Sequence, residues 1–294
     1  MISRRSFILP GLVLPFSIGC IDLSGAGSGW VTERDEKRFS VGGKPEIVLS
    51  TFDGSIEVRS WDRSEVLVVV EKRAMNTEMA AAIPVEITQQ ADRITVDARH
   101  PKHGGWAWFG PGNARLIVSV PLAADVHATS GDGSIRLENV TGTIALHSGD
   151  GRIYAAHSSG RVSATTGDGS IDLDGVEGDV VATTGDGRVK VIGRLTSLRA
   201  RSGDGSISIS AGAGSAVESD WDISSGDGSV SLDIPEGFNA NLEAHTGDGG
   251  IHLDGVSVAG SVKMSRNQVN GRLGAGGHAL RVRTGDGSIR LRRS

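Results

Sequence analysis

Ala164-Thr165-Thr166-Gly167-Asp168-Gly169-Ser170-Ile171-Asp172-Leu173 is a Gly-rich turn with alternating apolar and polar residues on both sides. Its centre, Gly-Asp-Gly, occurs eight times after residue 130, at Asp132, Asp150, Asp168, Asp186, Asp204, Asp227, Asp248 and Asp286. The first five copies lie 18 residues apart, and the later steps are 23, 21 and 38. The longest step divides into 22 and 16 if Asn270-Gly271-Arg272-Leu273 is a decayed copy. Apolar residues keep their offsets from the turn. Ala128, Leu146, Ala164, Ala182 and Ala200 precede it, while Ile135, Ile153, Ile171, Val189 and Ile207 follow it. Period-two alternation on each side predicts two short strands per repeat, each with one buried face.

Two strands of this length are not stable alone in water, so the repeats must bury their apolar faces on one another. The sequence therefore predicts an all-β chain with a β-solenoid, a parallel β-helix-like stack of roughly 18-residue coils. A row of antiparallel hairpins is the rival. It gives no reason for the same residue class to recur at the same offset in every copy.

Stacking places the Asp column in single file about 4.8 Å apart, where neighbouring carboxylates repel. The column is expected to be a structural turn ladder. Each Asp accepts backbone N–H bonds within its own turn, and the flanking Gly residues supply positive φ angles. The residue after the motif runs Ser134, Arg152, Ser170, Arg188, Ser206, so an Arg every second coil can reach the carboxylates above and below. Calcium-binding β-roll repeats are the functional alternative. They carry carboxylates on both turns, whereas Asn139-Val140-Thr141-Gly142 has none, and a hard cation wants six or more oxygens. No metal, cofactor or catalytic residue is expected.

The chain begins with an export signal over residues 1–20. Arg4 and Arg5 precede an apolar run, Phe7 to Ile18, too short to span a bilayer. Ser3-Arg4-Arg5-Ser6-Phe7-Ile8 resembles the twin-arginine signal. Ser17-Ile18-Gly19-Cys20 resembles a lipobox, with Ser17 where Leu is usual, and implies lipid on Cys20. Cys20 is the sole cysteine, so no intramolecular disulfide is available. Residues 21–37 read as a flexible tether. Residues 38–126 read as an irregular β-rich part, and residues 127–294 as the solenoid. In the irregular part, strands are expected near Glu46–Ser50, Ser55–Arg59, Glu65–Val70, Val85–Thr88, Arg93–Ala98 and Ala114–Val120. Asn76 should cap a short helix that ends before Pro84. Asp53-Gly54-Ser55-Ile56 is a half-copy of the motif.

Trp61-Asp62-Arg63 leading into Glu65 to Val70, then Val120-Pro121-Leu122, then serial Ser-Gly-Asp-Gly-Ser-Ile resemble the bacterial putative-adhesin family of β-strand repeats. The likeness runs from about residue 38 to residue 294. It implies a β-helical domain displayed on the cell envelope, in a family of unknown function, and it supplies no catalytic residues.

Composition points the same way. Gly makes up 43 of 294 residues and aromatics 4%, which suits narrow coils with small interiors. Net charge is −5, or about −7 once Arg4 and Arg5 leave, which argues against nucleic acid as a partner. Arg281, Arg283, Arg290, Arg292 and Arg293 are read as charge protecting the open edge of a last coil, with contact to an anionic surface as the alternative. The segment from His100 to Asn113 interrupts two strands. It holds Trp106, Trp108 and Phe109, three of twelve aromatics, as a contact loop or a lid. The function expected is a non-enzymatic, exported, envelope-anchored solenoid. It would be held to the membrane by lipid on Cys20, binding or scaffolding an envelope protein or polysaccharide. A carbohydrate-active enzyme of β-helical fold is the alternative, resting on analogy of fold.

Overall fold

The computed structural model describes residues 30–100 and 112–294. They form 23 strands and one short helix, and hydrogen bonds join every strand into one continuous sheet. The chain is all-β and β-solenoid-like. Strands that precede a Gly-Asp-Gly turn make one parallel stack, among them Asp125–Ser130, Thr141–Ser148 and Ser159–Thr166. Strands that follow the turn make a second stack, among them Ile135–Glu138 and Ile153–Ala156. Ile171–Thr184 and Val189–Ser202 serve both, with the first part of each in the second stack and the last part in the first.

The register explains the sequence period. Ile135, Ile153, Ile171, Val189 and Ile207 are successive in-register parallel partners, as are Val126, Ile144, Val162, Val180 and Leu198 in the other stack. All are buried, and the two stacks face each other across a thin core of Ile, Val, Leu and Ala. The pairing is parallel, so the rival row of hairpins does not describe this region.

Both ends of the stack depart from chain order. At the start, Glu46–Thr51 and Ile56–Trp61 form a coil around Asp53 that lies directly on the Asp132 coil. Outside it sit Arg93–Ala98 and Asn113–Pro121, a coil whose connection is the 99–112 segment. Antiparallel strands then close this end, with Val85–Gln90 on one stack and Glu65–Ala74 followed by Val31–Ser40 on the other. The helix Thr77–Ala81 is capped as expected, with Asn76 Oδ1 accepting the Met79 N–H at 2.8 Å. Val31–Ser40 overlaps the segment read as tether. Its Thr-Glu-Arg-Asp-Glu-Lys-Arg sequence carries charge on both faces, which hides the alternation and suits an edge strand.

The other end holds the larger correction. Ala279–Thr284 pairs with Trp221–Ser225 on one side and with Ala240–Thr246 on the other. Ile289–Arg293 likewise lies between Val230–Ile234 and Ile251–Asp254. The C-terminal coil is therefore inserted between the two coils that precede it in sequence. Its arginines lie inside the stack and not on an open edge. Arg292 makes two bonds to Asp233, at 2.9 and 2.7 Å, and Arg281 bonds Asp220 at 2.8 Å and Glu243 at 3.2 Å. Asp220 also accepts the Ala279 N–H at 3.0 Å. That bond first, and Arg281 second, hold its carboxyl below the usual carboxylate range. A depressed pKa contributes stability at neutral pH that is lost as pH falls and Asp220 protonates. Asn270-Gly271-Arg272-Leu273 is not a turn. It belongs to Gln268–Leu273, which runs antiparallel to Ala240–Thr246 and closes this end together with Val258–Met264.

Candidate functional site

The turn edge is where the sequence placed the most chemistry, and its geometry differs from the expectation. All eight Gly-Asp-Gly aspartates are exposed. Among the described residues none of their carboxylates accepts a hydrogen bond or forms an ion pair. Arg152 bonds Ser170 Oγ at 2.9 Å and lies 3.7 Å from Asp172, so it turns away from the Asp column.

The residue before the motif ties the turns together. Ser130, Ser148, Thr166, Thr184, Ser202, Ser225, Thr246 and Thr284 are buried. Each donates its hydroxyl to the carbonyl of the second Gly in the coil beneath. Thr184 Oγ1 donates to Gly169 O at 2.8 Å, and Thr246 Oγ1 to Gly287 O at 2.7 Å. In six of the eight the same oxygen accepts the N–H three residues on, as Thr184 Oγ1 does from Gly187 at 3.2 Å. One hydroxyl thus satisfies a donor and an acceptor that would otherwise be buried unpaired. The signal was in the sequence, since Ser or Thr precedes every copy, but the charged neighbour drew the reading. Thr184→Val keeps the shape and removes the hydroxyl. It should cost about 1–3 kcal/mol, measured by denaturant unfolding. Asp168→Asn should leave the melting temperature unchanged or slightly raised, because it removes repulsion and breaks no bond.

The glycines act by contact and not by torsion. None of the sixteen in the eight copies has a positive φ. Except for Gly131, which donates to Thr51 O, the first Gly of each turn donates its N–H to the first Gly of the neighbouring turn, as from Gly167 to Gly149 at 2.5 Å. In space these bonds order the turns Gly131, Gly149, Gly167, Gly185, Gly203, Gly226, Gly285, Gly247.

The loop with Trp106, Trp108 and Phe109 lies outside the described residues, as do Arg4, Arg5 and Cys20. The roots of the loop, Ala98 and Ala114, sit on the turn edge. Phe52 N–H donates to Ala98 O at 3.1 Å and Thr51 Oγ1 to Ala114 O at 2.9 Å. Residues 98 and 114 are thus held against the turn of the Asp53 coil.

The outer face of the second stack carries one in-register row: Arg136, Tyr154, Asp172, Lys190, Ser208, Ser231, Arg290, His252. Its residue types are mixed, with cations, a carboxylate, hydroxyls and an aromatic ring. In space it makes two shallow depressions that share Lys190. One is floored by Ser206, Ser208, Ser229 and Ser231 between Lys190 with Arg188 and Arg290. The other holds Tyr154, whose ring lies 4.5 Å from the Arg136 guanidinium, a cation–π contact. A further recess, on the outer face of the first stack, is lined by Glu243, His245, Gln268, Asn270 and Arg272. Among the described residues no three His, Cys, Asp or Glu side chains are placed to hold a metal ion.

A family model matches residues 45–292, from the first in-register coil to the inserted last one. The chain belongs to the Toastrack DUF4097 family. Among solved structures, a putative cell adhesion protein from Clostridium sporogenes is similar at 11% identity, over 90% of this chain and 100% of that one, with a TM-score of 0.33. A putative adhesin from Bacteroides fragilis is similar at 10% identity, over 89% and 97%, with a TM-score of 0.42. A putative lipid binding protein from Parabacteroides distasonis is similar at 10% identity, over 88% and 96%, with a TM-score of 0.40. A search of curated proteins found no match. Toastrack membership fixes the kind of fold, and function rests on the surfaces.

Proposed function

We propose that this Toastrack protein is a non-enzymatic binding or scaffolding module, anchored in the bacterial cell envelope and adhesin-like. The observation that carries the reading is the stack itself. Its interior is filled with side chains, while its outer faces are long and polar. Rows of outward side chains repeat at the strand spacing, about 4.8 Å, which suits contact with an extended partner. Catalysis asks for a nucleophile or acid–base pair set in a cleft, and the three depressions found among the described residues are open to solvent. The test is incubation of the exported protein with envelope fractions. Retention without release of reducing ends from envelope polysaccharide is expected. Turnover abolished by changing residues of an outer face would overturn the reading.

Anchoring rests on Ser17-Ile18-Gly19-Cys20 and export on Arg4-Arg5. Cys20→Ala should leave the precursor unprocessed or release the protein from membranes. Arg4-Arg5→Lys-Lys should block export if the twin-arginine route is used. Normal fractionation of the first variant would count against the lipid, and normal export of the second would point to the general secretory route.

A further inference from the structure

We infer that the outer face of the second stack is a binding track for an acidic polysaccharide, a chain bearing both carboxylates and hydroxyls. The inference deepens the binding reading above by giving that face its ligand class.

The argument starts from small residues. Ser206 and Ser208 on one coil and Ser229 and Ser231 on the next leave a trough two coils wide. Arg188 and Lys190 stand on one wall. Among the described residues neither forms an ion pair or a side-chain hydrogen bond. An unpaired cation pair beside a floor of hydroxyls matches an anionic group that also needs hydrogen-bond donors. On the opposite wall Arg290 lies 3.7 Å from Asp254, a loose contact on an exposed pair, so its guanidinium keeps most of its hydrogen-bonding capacity.

Two further features select the ligand. The first is length. Lys190 is shared with the depression that holds Tyr154, Arg136 and Arg152, where two carboxylates, Asp172 and Asp174, stand among the three cations. From the Asp132 coil to the Asp286 coil is six strand steps, or about 29 Å. A compact anion fills one trough, whereas a polymer fills the track. The second is the acidic ridge beside it. Asp186, Asp204, Asp227 and Asp286 project from the turns next to the trough, exposed and accepting no hydrogen bond among the described residues. That ridge repels any polyanion, and a phosphodiester backbone has no donors of its own to offset the repulsion. A polysaccharide instead offers hydroxyl donors to the ridge and carboxylates to Arg188, Lys190 and Arg290. Tyr154 adds an aromatic surface for the apolar face of a sugar ring.

The experiment is calorimetric titration of the full chain with oligogalacturonate, maltooligosaccharide of equal length, single-stranded DNA and inorganic phosphate. Oligogalacturonate should bind at least tenfold more tightly than any of the other three. Added salt should weaken its binding, because the contacts are exposed charge pairs. Lys190→Glu and Ser231→Glu should each weaken it at least tenfold. Arg161→Glu, on the exposed outer face of the first stack, should leave it unchanged. Absence of oligogalacturonate binding, equal binding of the neutral chain, DNA or phosphate, or full binding by Lys190→Glu would each overturn the assignment. If Lys190→Glu loses oligogalacturonate but is still retained on envelope fractions, the general binding reading is independent of this track. If the wild-type protein is not retained either, that reading fails as well.

Discussion

Gly169→Val is expected to be among the most destabilising single changes in this protein, costing about 3 kcal/mol or more. A Cβ on Gly169 would lie 2.1 Å from the Gly151 carbonyl oxygen and 2.7 Å from Thr166 Oγ1. The nearer atom is backbone, pinned by the parallel pairing of the strands on both sides, so it cannot retreat. The same contact recurs at Gly187 on Gly169 and at Gly205 on Gly187, at 1.9 and 2.0 Å. A shift in one turn is therefore passed to the next. Gly175 makes the comparison informative. It has φ +62, so a side chain there is strained, but its added Cβ would meet the His157 ring at 2.8 Å, and that side chain can move. Gly175→Ala should cost about 1 kcal/mol, well below Gly169→Ala. Urea unfolding of the two alanine variants ranks them, and the reverse order would show that backbone torsion and not close stacking selects glycine in these turns.

The repeat was legible because its physics is local and periodic. Strand positions followed from alternation at Ile135, Ile153 and Ile171, and parallel stacking followed from like residues at like offsets. The role of the Asp column was not legible. A carboxylate flanked by two glycines reads equally well as a hydrogen-bond acceptor, a metal ligand or a solvated turn residue. Only the positions of the coils show that Thr184 and its counterparts make the bonds. The order of the end coils was hidden for a different reason. Leu280, Val282, Ile289 and Leu291 fit the interior at any level of the stack, so the alternation that identifies a coil does not state which coil it touches. The track on the second stack was hidden by the same independence. Arg188 and Arg290 are 102 residues apart in the chain, and the site is made by stacking order.

Insertion of the C-terminal coil sets up the second large effect. In a solenoid that follows chain order, removing the last coil exposes one new edge and leaves the rest protected, since each repeat contacts only its neighbours. Here the chain's last coil is the middle of three. Ending the chain at His278 removes Ala279–Thr284 and Ile289–Arg293 and leaves the Asp227 and Asp248 coils with no partner between them. Ala240–Thr246 would keep only its antiparallel pairing with Gln268–Leu273, and Ile251–Asp254 would lose its one pairing strand. Buried Leu242 and Ala244 would lose in-register contact with Leu280 and Val282. The expected result is cooperative loss of amide protection over residues 240–273, all still present in the chain, while the coils from Asp132 to Asp204 stay protected. Hydrogen exchange on the truncated and full-length proteins measures this directly. Protection retained at Ala240–Thr246 after truncation would mean that the Asp248 coil can close onto the Asp227 coil by itself. In that case chain order would suffice to build this end, and the inserted coil would be an addition to a finished stack. Loss of protection would mean that this end of the solenoid is stable only with the final 16 residues in place, the inserted coil being what joins the Asp248 coil to the stack.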